Sequence, residues 1–183
     1  MAPYIVTPDT VESGPSDIPD WMPAQFSTFC VEITQHFNPG TKYKATINDD
    51  IRYLGGTNTD TEALKESVKK IYAAYLNGAL VDGVGDDIDG NIVQRSVWGA
   101  QGYSGYSITA EIGDIIGPST SFDPDDIAGW NDVKVLNLWG ISDNADNQSQ
   151  LVMTPVPGAG ILGAIGLGLA SWRLRRRKVT VES

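Results

Sequence analysis

The sequence predicts an α+β fold. Predicted strands stand near both ends of residues 26–142, with alternating polarity near the start and apolar residues on both faces near the end, and two segments with helical spacing lie between them. Strands that flank a group of helices, instead of alternating with them, are typical of this class. With 183 residues, of which 41% are apolar, the chain is long enough for one domain of ordinary size with short appendages.

The first strands are predicted between residues 26 and 47. Residues 26–34 alternate in polarity, and Cys30 and Glu32 share one predicted face. The sequence Asn-Pro-Gly-Thr at 38–41 has the composition of a tight turn, and alternation resumes over 43–47. These features predict two antiparallel strands joined as a hairpin.

Two helices are predicted after these strands. Residues 60–77 place apolar side chains on one stripe and lysines, among them Lys70, on the opposite one. A shorter helix is predicted over 91–100, where Gln94 and Trp98 lie one turn apart on the same face. The shorter helix follows a loop rich in glycine and aspartate.

Composition divides the chain into four parts. Residues 1–25 contain several prolines among polar residues and are predicted to be a flexible lead-in to the domain at 26–142. Residues 133–139 are apolar on both faces, which indicates a strand in the middle of a sheet. A linker is expected at 143–155, followed by a C-terminal segment at 156–183 of different character.

The overall composition excludes several classes of protein. A net charge of -10 argues against nucleic acid as a partner, because such binding draws on cations that displace counterions. A single cysteine and a single histidine leave no intramolecular disulfide and no zinc cluster. We therefore expect no metal and no cofactor.

The C-terminal segment has the pattern of a single membrane-spanning helix. Residues 157–172 are almost entirely glycine and apolar residues, and as a helix they would extend about 24 Å, a span that snorkelling arginines can lengthen. A basic cluster that would stop transfer and remain in the cytoplasm follows at Arg173, Arg175, Arg176, Arg177 and Lys178. The acidic domain would then lie outside the membrane.

Cys30 on a strand and Gln94 on a helix could together carry covalent chemistry. If a thiol is held against a glutamine carboxamide in a dry site, it can displace ammonia and leave an internal thioester. That bond is an acyl donor, which an amine on another molecule can attack to form a stable amide. The alternative is a buried free Cys30 that behaves as a small apolar residue in a structural protein.

A second alternative is a calcium site in the loop between the two helices. Carboxylate and amide oxygens are the ligands that calcium prefers, and residues 82–91 contain several of them without matching an EF-hand frame. The candidates are Asp82, Asp86, Asp87, Asp89 and Asn91. This loop would suit a calcium-dependent surface-binding module.

The order of five short motifs resembles bacterial thioester-domain surface proteins. The motifs are Phe29-Cys30-Val31-Glu32, Asn38 to Tyr43, Ala73 to Leu76, Val93 to Trp98 and Val135 to Leu138. The resemblance covers roughly residues 26–140. It implies a β-rich sandwich- or barrel-like body with an inserted helical segment, and it places Cys30 and Gln94 at the two thioester-forming positions. The better-known members of this family are covalent adhesins.

Spacing suggests two further residues for the same site. Glu32 lies two residues along the same strand face as Cys30, and Trp98 lies one helical turn from Gln94. We expect these side chains to orient the thioester and to shield it from water.

The tail is similar to a PEP-CTERM sorting signal, which consists of a proline-containing motif, a glycine-rich apolar helix and an arginine cluster. Pro155, Val156, Pro157 and Gly158 stand at the motif positions. The similarity implies an exosortase-type processing enzyme and a Gram-negative bacterium. Proteins with such tails begin with a signal peptide, whereas this amino terminus has neither a basic start nor an apolar stretch, which suggests a misassigned start.

Together these observations predict an exported protein that is not a turnover enzyme. It would be anchored in the inner membrane and later reach the cell surface or extracellular matrix, where a Cys30–Gln94 thioester could couple it to amine-bearing partners. The alternatives are a structural envelope or exopolymer protein with an inert Cys30 and the calcium-dependent module.

Overall fold

The computed structural model describes residues 3–8, 22–36, 38–52, 61–117, 127–141 and 146–154. The fold is α+β, as the sequence predicted. The strands are β1 (Tyr4–Val6), β2 (Phe26–Thr28), β3 (Tyr43–Asn48), β4 (Asp50–Arg52), β5 (Thr61–Ala63), β6 (Val133–Gly140) and β7 (Asp146–Met153). The helices are α1 (Glu66–Leu76), α2 (Gly90–Gln101) and α3 (Ala110–Ile116), and a 3₁₀ turn (Trp130–Asp132) precedes β6.

Within the described residues the strands form three small antiparallel sheets. The largest has the order β3-β6-β7, and the other two are the pairs β1-β2 and β4-β5. The central place predicted for residues 133–139 is confirmed, because β6 lies between two partners. Val133 and Val135 are buried on one face, and Leu136 and Leu138 are buried on the other.

The predicted hairpin between residues 28 and 47 is wrong. The turn forms, since the Thr41 amide donates to the Asn38 carbonyl at 3.1 Å and Gly40 has φ of 85°. However, β2 pairs with β1, and β3 pairs with β6. A central strand that is apolar on both faces needs a partner on each edge, and β3 and β7 supply them.

Two segments that the sequence analysis placed outside the domain belong to its sheets. Tyr4–Val6, in the predicted lead-in, forms β1 against β2. Residues 146–153, in the predicted linker, form β7 against β6. The polar composition of β7 suggested a linker, yet Gln148, Ser149 and Gln150 are all buried and bond to buried polar partners.

The helix predicted over 60–77 begins later than expected. Residues 61–63 form β5, and α1 begins at Glu66 and ends at Leu76. Lys70, predicted on the solvated face, is buried; it forms an ion pair with Glu66 and lies 5.3 Å from the centre of the Trp130 ring. A long aliphatic stem and a nearby aromatic face make such a position tolerable for a lysine.

The helix predicted over 91–100 is confirmed as α2. The Asp89 side chain caps it by accepting from the Asn91 amide, and Gly102, with φ of 101°, ends it. No sequence pattern predicted α3, whose cap is the Thr109 hydroxyl. All three helices lie between β5 and β6 in the chain.

The main hydrophobic core lies between the helices and one face of the β6-β7 pair. Buried residues from α1, α2 and α3 meet Phe29, Val31 and residues of β6 and β7 there. A smaller cluster lies on the other face, around Leu136, Leu138 and Val152. The side chains of residues 28–32 are all buried, on whichever side of the segment they point.

Gly99 allows α2 to approach the following loop closely. A Cβ at this position would lie 2.5 Å from the main chain of Ser107, far inside van der Waals contact. We expect Gly99→Ala to lower the free energy of unfolding by about 1–3 kcal/mol, although alanine ordinarily stabilises a helix relative to glycine. Urea denaturation measures the change.

Gly83→Ala is the matched control for this substitution. An added Cβ at Gly83 meets no atom within 4 Å, so its unfolding midpoint should remain near that of the wild type. An unchanged midpoint for Gly99→Ala would show that α2 and the loop do not approach as closely as described.

In the described parts of the chain, no helix is long and apolar enough to cross a membrane. The predicted membrane segment at 157–172, the sorting motif at Pro155 to Gly158 and the basic cluster at 173–178 lie outside those parts.

Candidate functional site

Cys30 lies directly opposite Gln150 of β7. The flanking main-chain hydrogen bonds run from Val31 to Ser149 at 3.0 Å and from Leu151 to Phe29 at 3.1 Å. In an antiparallel arrangement of this kind, the opposed residues do not exchange main-chain hydrogen bonds, and their side chains approach closely on one face. The amide and carbonyl of Cys30 therefore point away from β7.

The Gln94 carboxamide occupies that free edge of Cys30. The Cys30 amide donates to Gln94 Oε1 at 2.9 Å, and Gln94 Nε2 donates to the Cys30 carbonyl at 2.7 Å. Because the main chain provides one donor and one acceptor, it also fixes which carboxamide atom faces which group. The structure thus brings the two predicted thioester-forming residues into direct contact.

This two-point contact orients the carboxamide relative to the Cys30 side chain. Two hydrogen bonds to one residue favour a carboxamide that lies near the plane of the strand, while strand side chains project roughly perpendicular to that plane. Gln94 Cδ is bonded to both contacting atoms and lies beside the Cys30 main chain. The contact therefore fixes the carboxamide against the Cys30 main chain, and the thiol side chain projects out of that plane.

The thiol itself is buried and free of disulfide. Cys30 is 1% exposed, and its Sγ accepts a hydrogen bond from Gln150 Nε2 at 3.2 Å. Burial raises the pKa of the thiol to about 12, the Gln150 hydrogen bond opposes this effect, and the charge of Glu32 adds to it. The sulfur is consequently protonated at neutral pH.

Glu32 is fully buried near the thiol. Its Oε1 accepts from the Ser149 amide at 2.8 Å, and its carbonyl accepts from the Gln148 side chain. These contacts hold the residues that follow Cys30 in the chain against β7. Glu32 influences the thiol through its charge, and it contributes to the register that presents Cys30 to Gln94.

Trp98 lies one helical turn from Gln94. Its ring contacts Tyr106 edge to face at a centroid distance of 4.9 Å, and Arg95 lies 5.8 Å from the centre of the Tyr106 ring. The indole Nε1 is buried and has no hydrogen-bond partner among the described residues. The indole therefore packs on the Tyr106 ring.

The aspartate-rich loop at 82–91 uses its carboxylates within the loop. Asp82 Oδ1 accepts from the amides of Val84 and Asp86, and Asp89 Oδ1 accepts from the Asn91 amide. These bonds lower the pKa of both carboxyl groups. Among the described residues, no group of three or more His, Cys, Asp or Glu side chains could hold a metal ion.

Gln150 is the contact that sequence reasoning missed. It lies 120 residues from Cys30 in a segment whose composition suggested a linker. The signal was weak, because 146–150 are all polar and only the apolar run at 151–153 has the composition of a strand. His36, the single histidine, is exposed and belongs to no contact described at this site.

No family model matches this chain, and neither the curated proteins nor the solved structures contain a match.

Proposed function

We propose that this is an exported surface or matrix protein in which Cys30 and Gln94 form an internal thioester for covalent attachment to amine-bearing partners. The observation that carries the proposal is the pair of hydrogen bonds between the Gln94 carboxamide and the Cys30 main chain. They hold the acyl group against the residue that carries the thiol, and both residues are shielded from solvent, at 1% and 5% exposure.

Thioester formation balances without a cofactor. Cys30 Sγ adds to Gln94 Cδ, and negative charge develops on Oε1, where the Cys30 amide already donates. A donor placed in advance at a developing oxyanion stabilises the transition state. The Cδ–Nε2 bond then breaks, the thiol proton is transferred to Nε2, and ammonia leaves from its position at the Cys30 carbonyl.

Attachment to a partner reverses these steps with a different nitrogen. A primary amine attacks Cδ, the Cδ–Sγ bond breaks, and a proton from the amine returns to the sulfur. The Cys30 carbonyl, which held the departing nitrogen, then accepts a hydrogen bond from an N–H group of the arriving amine, by analogy with the reverse of thioester formation. The products are a stable amide on Gln94 and a free thiol.

The surroundings of the bond support a long-lived acyl donor. Glu32 and Trp98 are proposed to orient and shield it, since one holds the Cys30 strand to β7 and the other packs on Tyr106 beside α2. Exclusion of water matters because hydrolysis would consume the thioester before a partner arrives. The finer fold proposed is the β-rich sandwich- or barrel-like body with helical insertion of thioester domains.

Export and anchoring form a separate part of the proposal. The tail from Pro155 onward is proposed to be a PEP-CTERM-like signal, with a membrane helix at 157–172 and a basic stop at 173–178, which an exosortase-type enzyme processes. The protein would then lie in the cell envelope of a Gram-negative bacterium and act at the surface or in the matrix. The order of the residues along the chain, glycine-rich and then arginine-rich, supports this placement.

Intact-mass measurement tests the thioester. The purified full chain should be lighter by one ammonia than its sequence mass, and methylamine should then add across the bond and expose one thiol. Cys30→Ser should have its full sequence mass and ignore methylamine. A wild-type chain at full mass, indifferent to methylamine and alkylated only at Cys30, would instead identify the inert structural protein.

The position of the methylamine label tests the choice of glutamine. Gln94 and Gln150 both contact Cys30, but only the Gln94 carboxamide is held at the main chain by both of its polar atoms. Peptide sequencing by mass spectrometry should find the methylamide at Gln94. A label on Gln150 would contradict the assignment of the acyl group.

A further inference from the structure

A second carboxamide lies on the other side of the Cys30 thiol from the main-chain contact. Gln150 is 1% exposed, and its Nε2 donates to Cys30 Sγ at 3.2 Å and to the Gln148 carbonyl at 3.3 Å. Its Oε1 is buried and has no hydrogen-bond partner among the described residues. The side chain is therefore directed at the sulfur with its donor and retains an unused acceptor next to it.

This arrangement differs from that of a glutamine with a structural role. Gln101, on α2, is equally buried and uses both ends of its carboxamide: Oε1 accepts from the Lys65 amide, and Nε2 donates to Glu62 and to the Ala63 carbonyl. Gln150 instead leaves one polar atom unsatisfied inside the protein, which is unfavourable and uncommon in a native structure. A side chain of similar size without polar atoms would fill this place at no such cost.

We infer that Gln150 is a positioning residue for the thioester, which holds Cys30 Sγ through its N–H donor and stabilises the sulfur whenever its bond to carbon forms or breaks. The inference rests on the proposed function and adds Gln150 to the residues that act in it. The bridge between Cys30 and Gln150 of β7 places the donor at the sulfur, because the side chains of directly opposed residues of this type lie close together on their shared face.

The chemical reason lies in the charge on sulfur. During formation the thiol loses its proton as it adds to Cδ, and during attachment the sulfur departs from Cδ before a proton reaches it. In both directions a fixed N–H donor at the sulfur lowers the barrier, since hydrogen bonds to charged groups are stronger than those to neutral ones. Burial and Glu32 oppose a charged sulfur, and Gln150 is the neighbour that favours it.

The test compares Gln150→Met with the wild type and with Gln101→Met. Full chain that has not yet formed the thioester is refolded from denaturant. The fraction of chains that has become lighter by one ammonia is then followed with time. Methylamine is then added to the mass-deficient chains. Methionine retains the volume of glutamine without an N–H donor, so we expect Gln150→Met to slow ammonia loss and methylamine attack by about tenfold or more. Gln101→Met should react at the wild-type rate.

Melting temperatures separate chemistry from folding. If Gln150→Met melts well below Gln101→Met, the comparison is made with Gln150→Leu, which is uncharged and likewise has no N–H donor. Slow reaction in either folded Gln150 variant supports the inference.

The remaining outcomes overturn it in distinguishable ways. Wild-type rates in every folded Gln150 variant would refute the positioning role and leave the Cys30–Gln94 thioester standing, as would equal slowing in Gln101→Met. No ammonia loss in the wild type would refute the proposed function, and the role of Gln150 with it.

Discussion

Gln94→Glu should abolish the mass deficit and destabilise the unreacted protein. A carboxylate can accept from the Cys30 amide, but it presents a second oxygen to the Cys30 carbonyl, where Gln94 Nε2 donates at 2.7 Å. The thiol would have no amine to displace. In a Cys30→Ser background, where no thioester forms, we expect the substitution to lower the free energy of unfolding by about 2–5 kcal/mol at about pH 8.

The same substitution should make stability depend on pH. Burial beside a carbonyl oxygen raises the pKa of the introduced carboxyl above the value of about 4.3 in the unfolded chain. The loss of stability should therefore be small below the unfolded-chain pKa of about 4.3, where a protonated carboxyl can donate to the Cys30 carbonyl. It should increase as the pH rises from there through the higher pKa of the folded chain. Urea denaturation of Cys30→Ser with and without Gln94→Glu measures the difference. A pH-independent difference would mean that the side chain does not face the carbonyl.

Phe29→Ala should produce the largest loss of stability in the segment that carries Cys30, which follows β2 and meets β7 through an isolated bridge. The Phe29 ring is fully buried and meets Tyr75 and Tyr72 edge to face, at centroid distances of 4.8 Å and 6.4 Å. Truncation removes these contacts and leaves a cavity between the strand and α1, which costs about 3–5 kcal/mol. Since Phe29 precedes Cys30 directly, the mass-deficient fraction should fall as well.

Phe26→Ala provides the matched control, because it removes the same ring from a partly buried position at the edge of the smaller cluster. Its unfolding midpoint in urea should lie much closer to that of the wild type. Equal losses for the two variants would place Phe29 outside the main core.

The strongly periodic elements could be predicted, and their pairing could not. The spacing of apolar residues identified α2 and most of α1, and the double-sided apolar pattern identified β6 as a central strand. The hairpin prediction failed because adjacency in sequence is only a tendency, and β6 offered β3 a longer pairing than the segment at 28–34 did. The short strands β4 and β5 have too few residues to show a period.

The candidate site was predicted in part for the same reason. Residue type and motif order selected Cys30 and Gln94, and in the structure the Gln94 carboxamide is hydrogen-bonded to the Cys30 main chain. Gln150 escaped prediction because its role depends on register. A shift of one residue in the pairing of β7 would turn its side chain to the opposite face and remove it from the sulfur.

The sequence by itself determined the α+β class, the two longer helices, the central strand and the residue types available for covalent chemistry. Local alternation and helical spacing carry that information, because they reflect which side of each element must be buried. Only the tertiary structure decided that residues 28–32 join β7, that α2 delivers Gln94 to the free edge of Cys30 and that Gln150 meets the sulfur. Those contacts join residues 64 and 120 positions apart. They are selected by the burial and hydrogen bonding of the whole domain, which no local pattern contains.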